Sequence, residues 1–250
     1  MVRIGLIGGT GLEKLDLFEQ TREIQMETPY GSPSSSFLTG KIENCEVFIL
    51  SRHGRQHTLP PARVNNRANM EAFQRLGCKY IIATTACGSL REEINRGDLV
   101  IPDQFIDFTR FRDITFYDQF EPDAPKHTPM ADPFSPVLRN WIIQAAKDLN
   151  IPFHPIGTVV TIEGPRFSTR AESRMFRLLG ADVINMSTAP EAILANEVGI
   201  PYASIALSTD YDCWKQEEEP VTWENILQVF NENVKHVTKL LLYLLPKITE

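Results

Sequence analysis

The sequence predicts an α/β protein with a mixed central β-sheet flanked by helices. Two observations carry this prediction. Short apolar runs rich in β-branched residues alternate with segments of helical periodicity. Some of these runs, such as Ile-Ile-Ala-Thr-Thr at 81–85, lack a charged face, as expected of strands covered on both sides. No linker, repeat or low-complexity tract interrupts the 250 residues, so we expect a single domain over 1–250.

The predicted strands are Val2–Ile7, Val47–Leu50, Tyr80–Thr84, Leu99–Ile101, Gly157–Ile162, Asp182–Met186 and Tyr202–Ser208. Helices are predicted between them at Pro61–Leu76, Arg139–Leu149, 169–180, 188–199 and Trp223–Leu245. The third and fourth helices begin with sequences of capping-box form, Thr169-x-x-Glu172 and Thr188-x-x-Glu191. The last helix has an apolar stripe, which predicts that it packs against the core.

The composition argues against several classes of function. The formal net charge of −7 argues against nucleic-acid binding, because such proteins carry a basic face. No apolar run approaches the roughly 18 residues of a membrane span, and Met1–Gly5 leaves no room for a secretory leader. The four cysteines, Cys45, Cys78, Cys87 and Cys213, lack the spacing of metal ligands. We therefore expect reduced thiols in a cytoplasmic protein, with a disulfide as the alternative.

Polar residues follow most predicted strands, at the edge where open α/β sheets bind ligands. The run Arg52–His57 contains two arginines, whose planar forks of donors suit a small anion, and two histidines, whose charge can change near neutral pH. The small residues Thr84–Ser89 let backbone amides approach a ligand. Asn185–Thr188 opens a helix, whose N-terminus favours negative charge. These segments predict a site for a small anion; for Arg52–His57 alone, a solvated loop is the alternative.

Two further strand ends contribute to the hypothesis. Gly8–Gly11 can form a backbone nest for an oxyanion. A dinucleotide-binding loop and a plain turn are its alternatives, although no acidic residue ends a second strand about 20 residues further on. Asp210 and Asp212 occupy alternate positions, so both carboxylates should face one side. Paired carboxylates raise each other's pKa, so one can stay protonated and donate a proton. Surface turn acids or a helix cap are the alternatives.

One long segment, Arg110–Pro136, has no clear period. It contains several aromatic residues among prolines and acidic residues. Long segments without regular structure are usually functional or disordered. The aromatic residues predict an ordered segment, packed against the rest of the chain or against another subunit.

Together these motifs resemble the trimeric purine nucleoside phosphorylase family, and within it the enzymes that cleave methylthioadenosine. The likeness extends from Val2 to about Pro246. It rests on the motifs Gly8-Gly9-Thr10-Gly11, Arg52-His53-Gly54-Arg55-Gln56-His57, Thr85-Ala86-Cys87-Gly88-Ser89-Leu90, Thr161-Ile162-Glu163-Gly164-Pro165-Arg166-Phe167-Ser168, Asn185-Met186 and Thr209-Asp210-Tyr211-Asp212-Cys213-Trp214.

The resemblance implies a homotrimer that uses inorganic phosphate as co-substrate, with no metal and no organic cofactor. It implies phosphate contacts from Thr10, Arg52, His53, Thr85, Ala86 and Ser187. It implies nucleoside contacts from His57, Phe167, Ser168, Met186, Asp210, Asp212 and Trp223, with His127 donated by a neighbouring subunit. Met186 would lie under the ribose, Phe167 against the purine, and Trp223 beside the 5′ group.

The implied reaction is phosphorolysis of methylthioadenosine to adenine and 5-methylthioribose 1-phosphate, with Asp210 donating a proton to the leaving purine. Carboxylates accept from the 6-amino group of adenine, whereas a 6-oxo group would face them unfavourably. Family members that prefer 6-oxopurines are expected to have Asn at position 210 and Glu at position 168. The alternatives are a phosphorylase that prefers adenosine, methylthioinosine or other 6-oxopurine nucleosides, a nucleosidase that uses water, and a nucleoside-binding module without catalysis.

Overall fold

The centre of the sheet consists of two parallel strands, β1 (Val2–Gly8) and β5 (Tyr80–Ser89). The computed structural model describes residues 1–8, 19–215 and 222–249, with backbone only at 19, 20, 223 and 232. Strand β1 is buried along all its length except at Arg3. Its other neighbour is the fully buried, parallel strand β4 (Cys45–Ser51). These strands have no solvent-facing side, which explains their lack of apolar–polar alternation.

The other strands extend this centre in both directions. Beyond β4 lie β3 (Phe37–Ile42) and β2 (Glu19–Ile24), both antiparallel. On the far side of β5 lie β10 (Val183–Asn185), β9 (Thr158–Ile162) and β7 (Gln104–Phe108). A branch leaves β5 through β11 (Tyr202–Asp210) and continues with β6 (Leu99–Val100) and β8 (Phe153–His154). Strand β10 is antiparallel to β5, whereas β11 is parallel to it, so the sheet is mixed.

Five helices are present in the described part of the chain: α1 (Asn66–Arg75), α2 (Pro136–Asp148), α3 (Arg170–Leu178), α4 (Thr188–Glu197) and α5 (Trp223–Leu244). Side chains that accept from backbone N–H groups begin α1, α2 and α5, at Asn65, Ser135 and Thr222. Helix α3 begins with the capping box predicted at Thr169 and Glu172. Among these helices none is both long and apolar enough to cross a lipid bilayer.

Two hydrophobic clusters cover the two faces of the sheet. One contains Ile4 and Leu6 of β1 with apolar residues of α2 and α5, including Leu138 and Leu241. The other contains Ile7 with apolar residues of α1 and α4, including Phe73. Helices therefore flank a mixed sheet, and the predicted fold class is confirmed.

Several predictions of individual elements need correction. Strands β2, β3, β7 and β8 were not predicted, since β2 (Glu-Gln-Thr-Arg-Glu-Ile) is almost entirely polar and β8 has only two residues. The predicted helix at Pro61–Leu76 is a 3-10 turn at Pro61–Arg63 followed by α1, because Asn65 caps a new helix. Strand β5 runs five residues past its predicted end, to Ser89.

The irregular segment packs against Tyr30 and helix α1, which agrees with the prediction of a segment packed against the rest of the chain. Between Phe108 and Pro136 the chain forms no helix and no strand beyond a β-bridge of Glu121 with Ala124. The Phe116 ring meets the Tyr30 ring edge-on, with centroids 5.2 Å apart. Arg67 of α1 pairs with Asp113 and Asp118 of the segment.

Candidate active site

A cavity of about 450 Å³ lies at the ends of β4, β5, β10 and β11. This volume suits a small organic molecule. Strand β5 crosses it with Thr85, Ala86, Cys87 and Gly88. Next to Thr85, the Thr84 carbonyl accepts a hydrogen bond from Arg52, which belongs to one group of cavity side chains. Gly88 pairs with Asp210, which belongs to a second group. Three residue steps in a strand separate these two groups by roughly 10 Å, about the length of a nucleoside.

At one of these groups, Arg52 is almost completely buried, and its guanidinium lies between a carboxylate and a carbonyl. Nε and Nη2 donate to the two oxygens of Glu191, at 3.1 Å for Nη2, and Nη1 donates to the Thr84 carbonyl at 2.9 Å. A guanidinium has five N–H groups, so these bonds leave two. The charges of Arg52 and Glu191 balance, and Glu191 also accepts a hydrogen bond of 2.8 Å from the Tyr202 hydroxyl.

Glu191 is therefore not part of a capping box, and this prediction was wrong. Helix α4 starts after Ser187, which makes no side-chain cap. The first amides of the helix are satisfied by other side chains: the Ala189 N–H donates to Thr161 Oγ1 at 3.0 Å, and the Thr188 N–H faces Asn185 Oδ1 at 3.4 Å. The buried cation of Arg52 attracts the Glu191 carboxylate more strongly than an already satisfied helix terminus does.

His53 lines the cavity next to Arg52, and its ring is neutral. Nδ1 lies 2.8 Å from the Leu59 carbonyl oxygen, which can only accept, so Nδ1 carries the proton. Burial, followed by the charge of Arg52, lowers the pKa of His53 to about 4. The other ring nitrogen is then an acceptor. With a pKa of about 4, His53 does not change charge near neutral pH, contrary to the prediction.

Two hydroxyl groups meet close to Arg52. Thr85 Oγ1 and Ser187 Oγ lie 3.3 Å apart across the boundary between β5 and the loop after β10. The Asn185 amide belongs to a predicted anion-site segment but was assigned no contact of its own; it lies 3.4 Å from Thr85 Oγ1 and donates to Thr188 Oγ1 at 2.6 Å. Thr85, Asn185 and Ser187 supply neutral donors and acceptors in the cavity that Arg52 also lines.

At the other group, the two aspartates line the same cavity. They do not reach it as alternate residues of one strand, as predicted. Strand β11 ends at Asp210, and Asp212 lies beyond it in a left-handed conformation with φ of 48°. The Asp212 N–H donates to Asp210 Oδ1 at 2.7 Å. Burial is the main cause that raises the pKa of Asp210 to about 6, and the charge of Asp212 adds less. Burial also raises the pKa of Asp212.

The loop between β9 and α3 forms another wall with Phe167 and Ser168. Its Glu163 carboxylate accepts from the backbone N–H groups of Arg110 and Phe111 and from the Arg112 side chain. Arg112 also donates to the carbonyl of Met186, at 3.3 Å. The irregular segment thus holds two walls of the cavity in place.

The structure brings most of the sequence-predicted site residues together. The cavity is lined by Arg52, His53, His57, Thr85, Ala86, Phe167, Ser168, Met186, Ser187, Asp210 and Asp212. Thr10 and the Trp223 side chain lie outside the described residues. His127 does not line the cavity of the single chain; its ring lies 5.6 Å from that of Phe120.

Three apolar residues of α5, Ile226, Leu227 and Phe230, also line the cavity. Sequence analysis assigned them to an apolar stripe that faces the core. Phe230 does belong to the core, but it lines the cavity as well. An amphipathic period does not distinguish a core from an apolar pocket wall. Among the described residues no group of three or more His, Cys, Asp or Glu side chains could hold a metal ion.

Comparison with known proteins identifies the family. A profile described as the phosphorylase superfamily matches residues 3–246. The chain belongs to this superfamily. The resemblance found in the sequence and the predicted enzyme class are confirmed.

Curated relatives match along nearly the whole chain. The S-methyl-5′-thioadenosine phosphorylase of Xenopus tropicalis is 53% identical, over 99% of this chain and 89% of the frog protein. The enzyme of the same name from Pyrococcus horikoshii is 50% identical, over 100% of this chain and 94% of that protein.

Solved structures of the superfamily share the fold. The methylthioadenosine phosphorylase of Schistosoma mansoni in complex with adenine has a TM-score of 0.92 and 42% identity, covering 98% of this chain and 91% of that one. A single-site mutant of that enzyme in complex with methylthioadenosine has a TM-score of 0.91 and 41% identity, with the same coverage.

Proposed function

We propose that this protein cleaves methylthioadenosine with inorganic phosphate to adenine and 5-methylthioribose 1-phosphate. The observation that carries the proposal is that one cavity is lined both by a buried guanidinium together with two hydroxyl groups, at Arg52, Thr85 and Ser187, and by the buried carboxyl group of Asp210, whose pKa is raised to about 6. The named relatives and the structures with methylthioadenosine and adenine support the same reaction.

Phosphate would bind beside Arg52, which has two N–H groups left after its bonds to Glu191 and Thr84. The hydroxyls of Thr85 and Ser187 and the backbone of Ala86 would complete the contacts, with Thr10 added by the family resemblance. Neutral His53 would accept from the hydroxyl group of hydrogen phosphate through its unprotonated nitrogen. Because the Arg52 charge is balanced, hydrogen bonding would contribute more to phosphate binding than net charge does.

The chemistry follows from the position of that phosphate. With the nucleoside between phosphate and Asp210, the glycosidic bond stretches and its electron pair moves to the purine. The sugar gains oxocarbenium character, which the phosphate oxygens stabilise before one of them bonds to the anomeric carbon. Asp210 donates a proton to the imidazole-ring nitrogen of the leaving purine, and the resulting carboxylate is reprotonated from water before the next turnover.

Base selection would depend on the aspartates. Both accept from the 6-amino group of adenine, while Ser168 leaves no acidic partner for a 6-oxopurine ring. Phe167 would stack on the purine, Met186 would lie under the ribose, and His57 would contact the sugar or the phosphate. Sites built on such hydrogen bonds can reject the wrong base by about 10⁴.

The 5′ substituent would meet the apolar wall of Ile226, Leu227 and Phe230. Trp223, next to this wall in the sequence, would border the same group. An apolar wall binds a methylthio group better than a hydroxyl group, because it offers no partner for the hydroxyl hydrogen bond. Discrimination against adenosine by such a wall is modest.

We further propose a cytoplasmic homotrimer of single-domain chains that needs no metal or organic cofactor. His127 lies in the irregular segment, away from its own cavity, and would complete the site of a neighbouring subunit. The Phe167 ring, 39% exposed in the single chain, would be covered in this assembly.

A coupled assay for adenine release tests the reaction. We expect turnover of methylthioadenosine only with phosphate present, and much slower turnover of inosine. Turnover without phosphate would indicate a nucleosidase, faster inosine cleavage would indicate a 6-oxopurine enzyme, and binding of methylthioadenosine with no adenine release would indicate a binding module. Asp210→Ala should lower kcat by about 10²–10⁴ while phosphate still binds; unchanged turnover would refute Asp210 as the acid.

A further inference from the structure

Strand β11 contains a β-bulge beside the acid of the proposed reaction. Ser208 pairs with Cys87 of β5 and Asp210 pairs with Gly88, so Thr209 is an extra residue in the register. In a regular strand, neighbouring side chains point to opposite faces. A bulge re-aims a side chain, and here Thr209 and Asp210 both line the cavity.

The bulge brings the Thr209 hydroxyl into contact with two oxygen atoms. Thr209 Oγ1 lies 2.8 Å from Asp210 Oδ2 and 3.2 Å from the Cys87 carbonyl oxygen. A threonine hydroxyl has one proton to donate, and a carbonyl oxygen can only accept. When Thr209 donates to Cys87, the contact with Oδ2 needs a proton on the carboxyl group. When Asp210 is ionised, Thr209 donates to Oδ2 instead.

The proton of a neutral Asp210 is therefore confined to one oxygen. Oδ1 already accepts from the Asp212 N–H at 2.7 Å, which leaves Oδ2 as the protonated atom. Gly88 leaves room for this arrangement, because a Cβ there would lie 2.9 Å from Oδ1. Thr209 itself is 2% exposed, so water does not compete for its hydroxyl.

We infer that Thr209 is a positioning residue for proton transfer, which accepts the proton of neutral Asp210 and donates to Oδ2 as that proton leaves. The inference rests on the proposed function of Asp210. The bond from Thr209 becomes charge-assisted only after the transfer, so it stabilises the later state more than the earlier one. This difference is what accelerates a chemical step.

Substitution of Thr209 leaves the other charged and titratable groups around the Asp210 carboxyl unchanged. Asp212 raises the pKa of Asp210 and Arg96 lowers it, and the neutral Cys87 thiol lies beside it on β5. The Thr209 hydroxyl also lowers the pKa of Asp210, by stabilising the carboxylate. Its removal should raise this pKa, since the remaining causes do not change.

The test compares Thr209→Val, which removes the hydroxyl, with Thr209→Ser, which keeps it. Activity should fall at high pH as Asp210 ionises, and in Thr209→Val this fall should move upward by about half to one pH unit. In Thr209→Val we expect kcat at the optimal pH to drop about tenfold and the KM for phosphate to stay within twofold. In Thr209→Ser we expect both kcat and the pH of the high-pH fall in activity, the high-pH limb, to return to the wild-type values. Thr39→Val, which removes a buried threonine hydroxyl in β3 far from the cavity, is the matched control.

A second readout separates this inference from the proposed reaction. The infrared band of the protonated Asp210 carboxyl, identified by its loss in Asp210→Asn, should titrate at higher pH in Thr209→Val than in wild type, whatever the enzyme catalyses. An unmoved titration would overturn the inference, as would an unmoved high-pH limb in an active enzyme. If the valine variant does not fold, Thr209→Ala removes the same hydroxyl and makes the same prediction.

Discussion

Arg52 and Glu191 form an ion pair inside the protein, with Arg52 Nη2 3.1 Å from Glu191 Oε2. The two side chains are only 3% and 2% exposed. The Tyr202 hydroxyl donates to the same carboxylate oxygen. Glu191 therefore fixes the plane of the guanidinium and balances its charge without touching the cavity. Such a partner offsets the cost of burying the charge of Arg52 and holds the guanidinium in a fixed orientation beside the cavity.

Glu191→Gln should destabilise the protein by about 3–5 kcal/mol, because it leaves the Arg52 charge buried without a counter-charge. Urea-induced unfolding measures this loss. The KM for phosphate should rise as the guanidinium loses its support. Glu71→Gln, which breaks an i,i+4 pair with the half-exposed Arg75, is the control and should change stability by about 0.5 kcal/mol or less. Equal effects of the two substitutions would contradict the role of Glu191.

Asp210→Asn should make the protein more stable at neutral pH. Burial raises the pKa of Asp210 from 3.8 in the unfolded chain to about 6 in the folded protein. Between these values the folded state keeps a proton that the unfolded state has released, so this residue lowers stability as the pH rises from about 4 to about 6, and the loss persists above. The full effect is on the order of 3 kcal/mol. Unfolding free energies of wild type and variant at pH 4.5 and 7.5 measure it, and a gain that does not grow with pH would contradict the raised pKa.

His53→Gln should reveal a pH dependence of stability opposite to that of Asp210, because the contribution of His53 to the free energy of unfolding increases with pH. The pKa of His53 is 6.5 in the unfolded chain and about 4 in the folded protein. The unfolded state takes up the proton first on acidification, so the neutral ring contributes stability that is complete above pH 6.5 and is lost toward pH 4. Between about pH 7 and pH 4.5, wild type should lose roughly 2–3 kcal/mol relative to the variant. Parallel pH curves of unfolding free energy for the two proteins would rule out a neutral, buried His53.

Gly164→Ala should weaken nucleoside binding. A Cβ at this position would clash with Met186 Sδ, so the thioether that lines the cavity must move. The φ of +65° at Gly164 adds backbone strain of about 1 kcal/mol when the residue is alanine. Gly180→Ala is a matched control with φ of +89° and no atom within 4 Å of the added Cβ.

Both glycine substitutions should lower stability through backbone strain, but only Gly164→Ala should raise the KM for the nucleoside. Steady-state kinetics and urea unfolding of the two variants make the comparison. If Gly180→Ala raised this KM as much, strain rather than the contact with Met186 would explain the effect.

The site residues that could be derived without the family resemblance share one property: each follows an apolar run that ends at the same edge of the sheet. Arg52, Thr85, Ser187 and Asp210 could be selected because the position of a strand end is visible in local composition. The same reasoning predicted the central strands. It missed β2, whose polar sequence is typical of a sheet edge rather than of its centre.

The remaining features depend on contacts between distant parts of the chain. Glu191 has the spacing of a capping box, and only the fold shows that Arg52, 139 positions away, attracts its carboxylate. The bulge at Thr209 depends on the register between two strands, which local sequence does not define. Likewise, Leu227 has the pattern of a core residue until the cavity beside it is known.

The extra residue in β11 makes chain length at this point as important as residue type. Deletion of Thr209 would restore a regular pleat and change the direction in which the proton-donating carboxyl group points. Insertion of one residue before Asp210 would move this carboxyl group out of register with Gly88. Natural variation around this position should therefore consist of exchanges of side chains, with insertions and deletions confined to loops further along the chain.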